Sequence, residues 1–195
     1  MTTNFITAFN KALSNEGFIS NNPADKGGFT YKGISRTKHP AWPGWKIIDD
    51  FFRRTDYQSV QQLNTNSTLQ NYVIAFYRTE FWNNIRGDIL PSQLIADELF
   101  ESSINIGILT SSAILQRIIN LLNRNISLYP DIAVDGIIGN QTLEALKKCL
   151  AANGEKLIYN ILNFYQAKRY IEIMERDRTQ EIFIGWFNKI EVVRI

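Results

Sequence analysis

The sequence has little of what several classes of protein require. Its one cysteine, Cys149, cannot form an internal disulfide, and its one histidine, His39, excludes His-rich zinc sites and most His-based catalytic triads. Lys and Arg total 21 against 19 Asp and Glu, a net charge of +2, and no run of about 5–8 basic residues occurs. These absences argue against a disulfide framework, a zinc protease, a serine hydrolase and a nucleic-acid partner.

Segments that would direct or anchor the chain are also missing. The first residues lack the basic start and continuous apolar stretch of a secretory signal peptide. The uncharged run Ser102–Gln116 has 15 residues, interrupted by polar ones, whereas a membrane span needs about 20 apolar residues. We therefore expect synthesis in the cytoplasm and no stable membrane insertion. An extracellular role would require an export route that does not use a signal peptide.

What is present is typical of a globular, mainly α protein. The 195 residues are 45% hydrophobic and 21% charged, enough for one domain or one domain with a small annexe. Helical spacing predicts a first helix to about Asn15, capped by Thr2 or Thr3, and further helices that begin after Trp45. Turn formers and near-alternation within 17–35 predict a loop and a short β-hairpin.

Local signals place several helix ends and loops. Pro91 suits the first turn of a helix, and Thr110 or Ser111 suits the cap of the next one. The spacing predicts a loop over 123–139, a helix over Gln141–Leu150 and a long helix over about 155–175. Cys149 lies at helical spacing, which favours a buried structural thiol over a nucleophile.

Two carboxylates stand out near the N-terminus. Glu16 follows an apolar helix, where partial burial would raise its pKa as a general acid requires, and Asp25 lies nine residues later in a Gly-rich turn. Two carboxylates in contrasting environments are the usual equipment of glycoside hydrolysis. The alternative is that Glu16 is solvated at a helix end and that Asp25 only shapes an Asx turn.

The residues around this pair resemble the N-terminal signature of glycoside hydrolase family 108, phage-like N-acetylmuramidases of which some are called secretion activators. The matching segments are 16–18, 21–30 and 31–35, and the catalytic Glu of the family falls on Glu16. The chain departs from the family pattern at Phe18, at Asn22 and at Lys32, which is inserted in the hairpin. The spacing of Glu16, Asp25 and Thr30 also resembles the Glu–Asp–Thr arrangement of phage lysozymes.

The resemblance continues along the chain. Residues 77–83 resemble a Tyr-x-x-x-Tyr/Phe-Trp segment of the family, and 103–107 resemble its Val-Asn-x-Gly helix end. Tyr77 and Trp82 are either core aromatics or the walls of a sugar cleft. Asn105 carries an amide that suits an N-acetyl group, and Gly107 would allow close backbone approach or end the helix.

Residues 134–146 resemble the Asp-Gly-x-x-Gly-x-x-Thr signature of small helical peptidoglycan-binding modules. The glycines permit a tight turn, and Asn140 or Gln141 begins a helix, so the alternative is that the motif is only a well-made helix start.

Together these resemblances imply a lysozyme-like fold with an N-terminal hairpin, organised as a catalytic part over 1–108 and a helical peptidoglycan-binding part over 109–195. They imply a muramidase, without a metal or organic cofactor, with peptidoglycan glycan strands as partner. Glu16 and Asp25 would be catalytic, and the substrate-binding residues would be Thr30, Tyr31, Tyr77 and Asn105. Action in the periplasm or on the cell wall would then depend on non-classical export with a holin-like partner. The alternatives are a peptidoglycan-binding, secretion-assisting protein without activity and a lytic transglycosylase.

Overall fold

A computed structural model of the chain describes residues 3–13, 19–20, 28–54 and 57–195, with the side chains of 57–59 left aside. The described residues fall into two compact units. One, the hairpin unit, comprises Phe9–Glu80, and the other, the helical unit, comprises Met1–Ala8 together with Phe81–Ile195. Each unit is described by itself.

Seven α-helices and three short strands account for most of the described chain. The helices are α1 Phe5–Leu13, α2 Gly44–Phe52, α3 Ser67–Tyr77, α4 Gln93–Ile106, α5 Ile108–Leu121, α6 Asn140–Asn153 and α7 Glu155–Arg176. The strands are β1 Ile19–Ser20, β2 Thr30–Tyr31 and β3 Ile34–Ser35. Shorter helical turns are the 3₁₀ segments Tyr57–Thr65, Gly87–Ile89 and Arg178–Lys189 and the π segment Arg78–Trp82. The predicted mainly α class with one small β element is confirmed.

The strands form an antiparallel sheet in the order β1-β2-β3. Thr30 pairs with Ser35 and Tyr31 with Ile34, so the β2–β3 hairpin has a two-residue loop, Lys32-Gly33. Both loop residues have positive φ angles, +45° and +78°, as a type I′ turn requires. The inserted Lys32 is therefore accommodated as the first central residue of that turn, and the register of the hairpin is regular.

Aromatic side chains build the core of the hairpin unit. Trp42 and Trp45 are nearly buried and meet edge to face at 5.0 Å between ring centroids. The indole N–H of Trp45 donates to the carbonyl of His39, and the guanidinium of Arg36 lies 4.8 Å from the Trp45 ring. Arg36 also forms a bidentate ion pair with Asp49 of α2, at 2.6 and 2.7 Å. These contacts fix the strand that ends at Ser35 against α2.

Helix α7 packs against α4, α5 and α6 and so organises the helical unit. Its buried side chains include Ile158, Tyr159, Leu162 and Tyr170. Cys149 of α6 is fully buried, as the helical spacing predicted.

Three helix starts differ from the sequence predictions. Asn4, rather than Thr2 or Thr3, accepts hydrogen bonds from the N–H groups of Ile6 and Thr7 in the first turn of α1. Ser92 caps α4, so Pro91 lies before the helix and not in its first turn. Helix α5 begins directly after Gly107, which puts Thr110 and Ser111 inside the first turn. In each case the neighbouring residue with the better cap or turn geometry defines the helix end.

The loop and helices predicted after α5 are confirmed. Helix α5 ends at Leu121 and α6 begins at Asn140, which brackets the predicted loop over 123–139. Helix α6 extends three residues beyond the predicted Leu150, and α7 begins at Glu155 as expected. Gly107 has a φ of +91° and ends α4, which is the second of the two roles predicted for it.

Candidate functional site

The two predicted catalytic carboxylates lie outside the described residues. Glu16 belongs to the segment 14–18 between α1 and β1, and Asp25 belongs to the segment 21–27 between β1 and β2. Their roles stay predictions. The described residues that follow each segment are the strands of the sheet, which begin at Ile19 and at Thr30.

Thr30 and Tyr31 occupy different positions on β2. Thr30 is half-exposed, and its hydroxyl lies 3.5 Å from the carbonyl oxygen of Ser20 on the paired strand. Tyr31 is fully buried, stacks on Trp42 at 6.3 Å between ring centroids and accepts a hydrogen bond from the side-chain amide of Gln70. Burial raises the pKa of the Tyr31 hydroxyl. Of this pair, Thr30 is the one whose side chain a substrate can approach.

Tyr77 is 2% exposed, which is the core position that one of the two sequence interpretations gave it. Its ring packs against Phe9 and Phe76, and its hydroxyl donates to the main-chain carbonyl of Lys32 at 2.7 Å. A role for Tyr77 in sugar binding stays a prediction. The contacts of the ring and hydroxyl support a structural role beneath the hairpin turn.

Gln70 joins the hairpin to α3 and was not singled out by the sequence. Its amide nitrogen donates to the Tyr31 hydroxyl at 3.0 Å and to the carbonyl of Leu63 at 2.9 Å, while its oxygen accepts from the ammonium group of Lys32 at 2.6 Å. Partial burial lowers the pKa of Lys32. A single glutamine in an amphipathic helix belongs to no sequence motif. Only its contacts with residues distant in the chain show that Gln70 supports the hairpin.

Asn105 lies in the last turn of α4, in the helical unit. Its side-chain oxygen accepts a hydrogen bond from the ammonium group of Lys189 at 3.2 Å, and its amide nitrogen is buried without a hydrogen-bond partner among the described residues. Because that nitrogen is buried, it faces other protein groups, the hydroxyl of Tyr170 among them. The predicted interaction of Asn105 with an N-acetyl oxygen stays a prediction.

The peptidoglycan-binding signature folds around Gln116 of α5. Gln116 is 1% exposed, and its amide nitrogen donates to the Asp135 carboxylate at 2.8 Å and to the carbonyl of Ile137 at 3.0 Å. Its oxygen accepts from the N–H of Gly136 at 2.8 Å. The bond from Gln116 and a second one from the N–H of Ile137 lower the pKa of Asp135.

Any residue other than glycine would be strained at position 136 of this turn. Its φ is +77°, and a Cβ atom there would lie 2.7 Å from the carbonyl oxygen of Leu109. Asn140 begins α6 and accepts a hydrogen bond from the guanidinium of Arg86 at 2.7 Å. A cavity of about 250 Å³ lies beside the turn, and Asp135, Asn140 and Thr142 contribute to its wall. The motif is therefore both a well-made helix start and the side of a cavity.

The described residues contain neither a cluster that could bind a metal ion nor a helix that could span a membrane. Among the described residues, no group of three or more His, Cys, Asp or Glu side chains could hold a metal ion. No helix in the described part of the chain is both long enough and apolar enough to cross a membrane.

The fold and the two units define a mainly α, lysozyme-like protein with a small antiparallel sheet. A family model described as "Glycosyl hydrolase 108" matches residues 9–107, and one described as "Predicted Peptidoglycan domain" matches residues 110–191. The protein belongs to glycosyl hydrolase family 108 and carries a peptidoglycan-binding part.

A solved structure titled "Structure of Brucella abortus SagA" shares the fold. The TM-score is 0.63 at 24% sequence identity, and the match covers 95% of this chain and 88% of that one. A search of curated protein sequences found no match. The family assignment supports a glycoside hydrolase that acts on peptidoglycan, whereas the likeness to SagA shows the fold alone.

Proposed function

We propose that the protein is an N-acetylmuramidase that hydrolyses the β-1,4 bond between N-acetylmuramic acid and N-acetylglucosamine. The observation that carries the proposal is the order of two matches on one chain. A glycosyl hydrolase 108 match over 9–107, which includes Glu16 and Asp25, is followed directly by a peptidoglycan-domain match over 110–191. Glycan strands are the part of peptidoglycan that contains glycosidic bonds, so both matches support one substrate.

In the proposed reaction Glu16 is the general acid. Its proton passes to the oxygen of the departing N-acetylglucosamine while the bond from that oxygen to the anomeric carbon breaks. Water attacks the anomeric carbon and, as the new C–O bond forms, gives its proton to one of the two carboxylates, which restores the acid for the next turnover. Asp25 positions that water or stabilises the positive charge of the oxocarbenium-like transition state, so the chain needs no metal or organic cofactor for this step.

Thr30, Tyr31, Tyr77 and Asn105 are the proposed substrate-binding residues. Thr30 fits direct contact best, because its side chain is half-exposed, whereas the amide nitrogen of Asn105 is buried. Tyr31 and Tyr77 act in this account mainly by holding the hairpin turn, since both side chains are buried. We also propose action in the periplasm or on the cell wall, with a holin-like partner for export.

The experiment that tests the reaction is mass spectrometry of the muropeptides that the purified protein releases from cell walls. A muramidase leaves a reducing N-acetylmuramic acid end, and incubation in H₂¹⁸O incorporates the heavy isotope there. A lytic transglycosylase, which uses a single acid and no water, leaves an anhydro-sugar without the isotope. Release of no muropeptides by protein that still sediments with cell walls would favour the alternative of a binding protein without activity.

A further inference from the structure

Another cavity in the helical unit lies between α5 and α7. It shares no lining residue with the cavity beside the signature turn. It has a volume of about 150 Å³ and is lined on α5 by Thr110 and Arg117 and on α7 by Tyr165, Lys168, Arg169 and Glu172. The side chain of Ile114, which is 6% exposed, forms an apolar part of its wall. Positions 165, 168, 169 and 172 share one face of α7, so the cavity follows from helical spacing. We name it the α5–α7 pocket.

Positive charge dominates the α5–α7 pocket. Three cations face one carboxylate, and Glu172 already accepts a hydrogen bond from Lys168 and lies 3.4 Å from a guanidinium nitrogen of Arg169. Arg117 makes no ion pair or hydrogen bond with another described residue. Three cations against one carboxylate leave the pocket with a net positive charge, and Arg117 is the cation without a partner among the described residues.

Arg169 has donor capacity that the described residues do not use. Its Nε atom is buried without a hydrogen-bond partner among the described residues, although a guanidinium has five N–H donors in a planar fork. A buried donor without a partner is costly, and Arg169 lines the pocket, so an anion bound there would lie beside a guanidinium group with unused donor capacity. The hydroxyl groups of Thr110 and Tyr165 also have no hydrogen-bond partner in the described part of the chain, so they add neutral donors.

A carboxylate fits these donors best. Its two oxygens match the fork of an arginine, and the paired charge-assisted bonds are stronger than neutral ones. The volume corresponds to about five water molecules at roughly 30 Å³ each, room for a carboxylate and the short chain that carries it. In peptidoglycan the free carboxylates belong to the stem peptides, whereas the glycan strand exposes mainly hydroxyl and N-acetyl groups.

We propose that the α5–α7 pocket binds a free carboxylate of a peptidoglycan stem peptide, with Arg117 and Arg169 as its principal ligands. This inference rests on peptidoglycan being the substrate in the proposed function, and it adds that the binding part recognises the peptide and not only the glycan. The pocket lies within residues 110–191, the range of the peptidoglycan-domain match.

The test measures binding of the full-length protein to a synthetic tetrapeptide stem by calorimetry. The same peptide with its carboxylates amidated is the neutral probe, and inorganic phosphate is the competing anion. We expect the carboxylate peptide to bind at least about ten-fold more tightly than the amidated one, because two charge-assisted bonds are lost on amidation. We expect Arg117→Gln and Arg169→Gln each to remove most of that difference.

Lys147→Gln is the matched control, since it removes one positive charge from the exposed face of α6 and leaves the pocket intact. Arg117 is exposed, so its variant should fold even if Arg169→Gln does not. Equal affinity for the two peptides, or a loss with Lys147→Gln as large as with Arg117→Gln, would overturn the proposal. So would phosphate that displaces the peptide at similar concentration, since it would mark a general anion site.

The outcome is independent of catalysis. If the protein releases reducing muropeptides but does not bind the stem peptide, the pocket proposal is wrong and the muramidase proposal holds. If the protein binds the stem peptide but has no hydrolase activity, the pocket proposal holds and the muramidase proposal is wrong.

Discussion

The hydroxyl group of Tyr77 donates a hydrogen bond of 2.7 Å to the main-chain carbonyl of Lys32. This bond joins the last residue of α3 to the tightest turn of the sheet. The next residue, Gly33, lies so close that a Cβ atom there would be 2.6 Å from the same hydroxyl oxygen. The turn between β2 and β3 is therefore fitted to the end of α3, and it fixes the strand that follows the segment containing Asp25.

Replacement of Tyr77 by Phe should destabilise the hairpin unit. The substitution keeps the ring but leaves the Lys32 carbonyl without this donor, and a lost buried hydrogen bond costs about 1–3 kcal/mol. The free energy of unfolding from urea titration measures the effect. Tyr72→Phe is the control on the same helix, because the Tyr72 hydroxyl has no hydrogen-bond partner among the described residues. An equal loss in both variants would show that the hydroxyl bond to Lys32 contributes nothing.

The sequence predicts the helices well where apolar spacing is the dominant signal. Helices α3, α6 and α7 follow it, because their buried faces supply most of the stabilisation. Helix ends are decided by competition between neighbouring residues. Asn4 caps α1 where the spacing predicts Thr2 or Thr3, and α5 begins after Gly107 where the spacing predicts a cap at Thr110. Periodicity does not report that competition.

The site is less accessible to sequence reasoning. The type I′ turn at Lys32-Gly33 could be expected only from pairing geometry, since a lysine at positive φ is uncommon. Gln70 and Gln116 organise the hairpin and the signature turn through contacts with residues distant in the chain, and a single glutamine gives no pattern to read. Glu16, by contrast, is indicated by its place after an apolar helix and by the family signature.

The signature turn provides a prediction that separates structure from binding. Asp135→Ala removes the carboxylate that Gln116 and the Ile137 N–H both bind, so the melting temperature should fall. Asn140→Ala removes only an exposed bond to Arg86, so the protein should keep its melting temperature. If Asn140 also contacts the wall, sedimentation with insoluble peptidoglycan should weaken about five-fold, the equivalent of one hydrogen bond. Unchanged sedimentation of the Asn140 variant would make the motif purely structural.

Stability should fall in alkaline solution. Burial raises the pKa of Cys149 above 9.0 and the pKa of the tyrosine hydroxyls above 10.0, at Tyr31, Tyr129, Tyr159 and Tyr170. These groups stay protonated in the folded state while the unfolded chain ionises. Their contribution to the free energy of unfolding is therefore complete below the pKa that each group has in the unfolded chain. It is lost as the pH rises from about 9 for the thiol and about 10 for the hydroxyls.

The slope of the free energy of unfolding against pH measures this effect directly. Each group that stays protonated removes up to about 1.4 kcal/mol per pH unit above its unfolded pKa, so urea midpoints should drop steeply from pH 10 to 11. Tyr170→Phe should make the decline shallower. A flat profile across that interval would mean that the hydroxyls ionise as readily in the folded protein as in the unfolded chain.

The central claim is that Glu16 is the acid of a muramidase, and the rate of reducing-end release from purified peptidoglycan by Glu16→Gln tests it most directly. Glutamine keeps the shape but donates no proton to the departing oxygen, so the rate should fall by about 10²–10⁴-fold, the usual contribution of general acid catalysis. Asp25→Asn should lose less, because an auxiliary carboxylate leaves the acid in place. Both variants should keep wild-type sedimentation with cell walls. A Glu16→Gln protein that releases reducing ends at the wild-type rate would contradict the account.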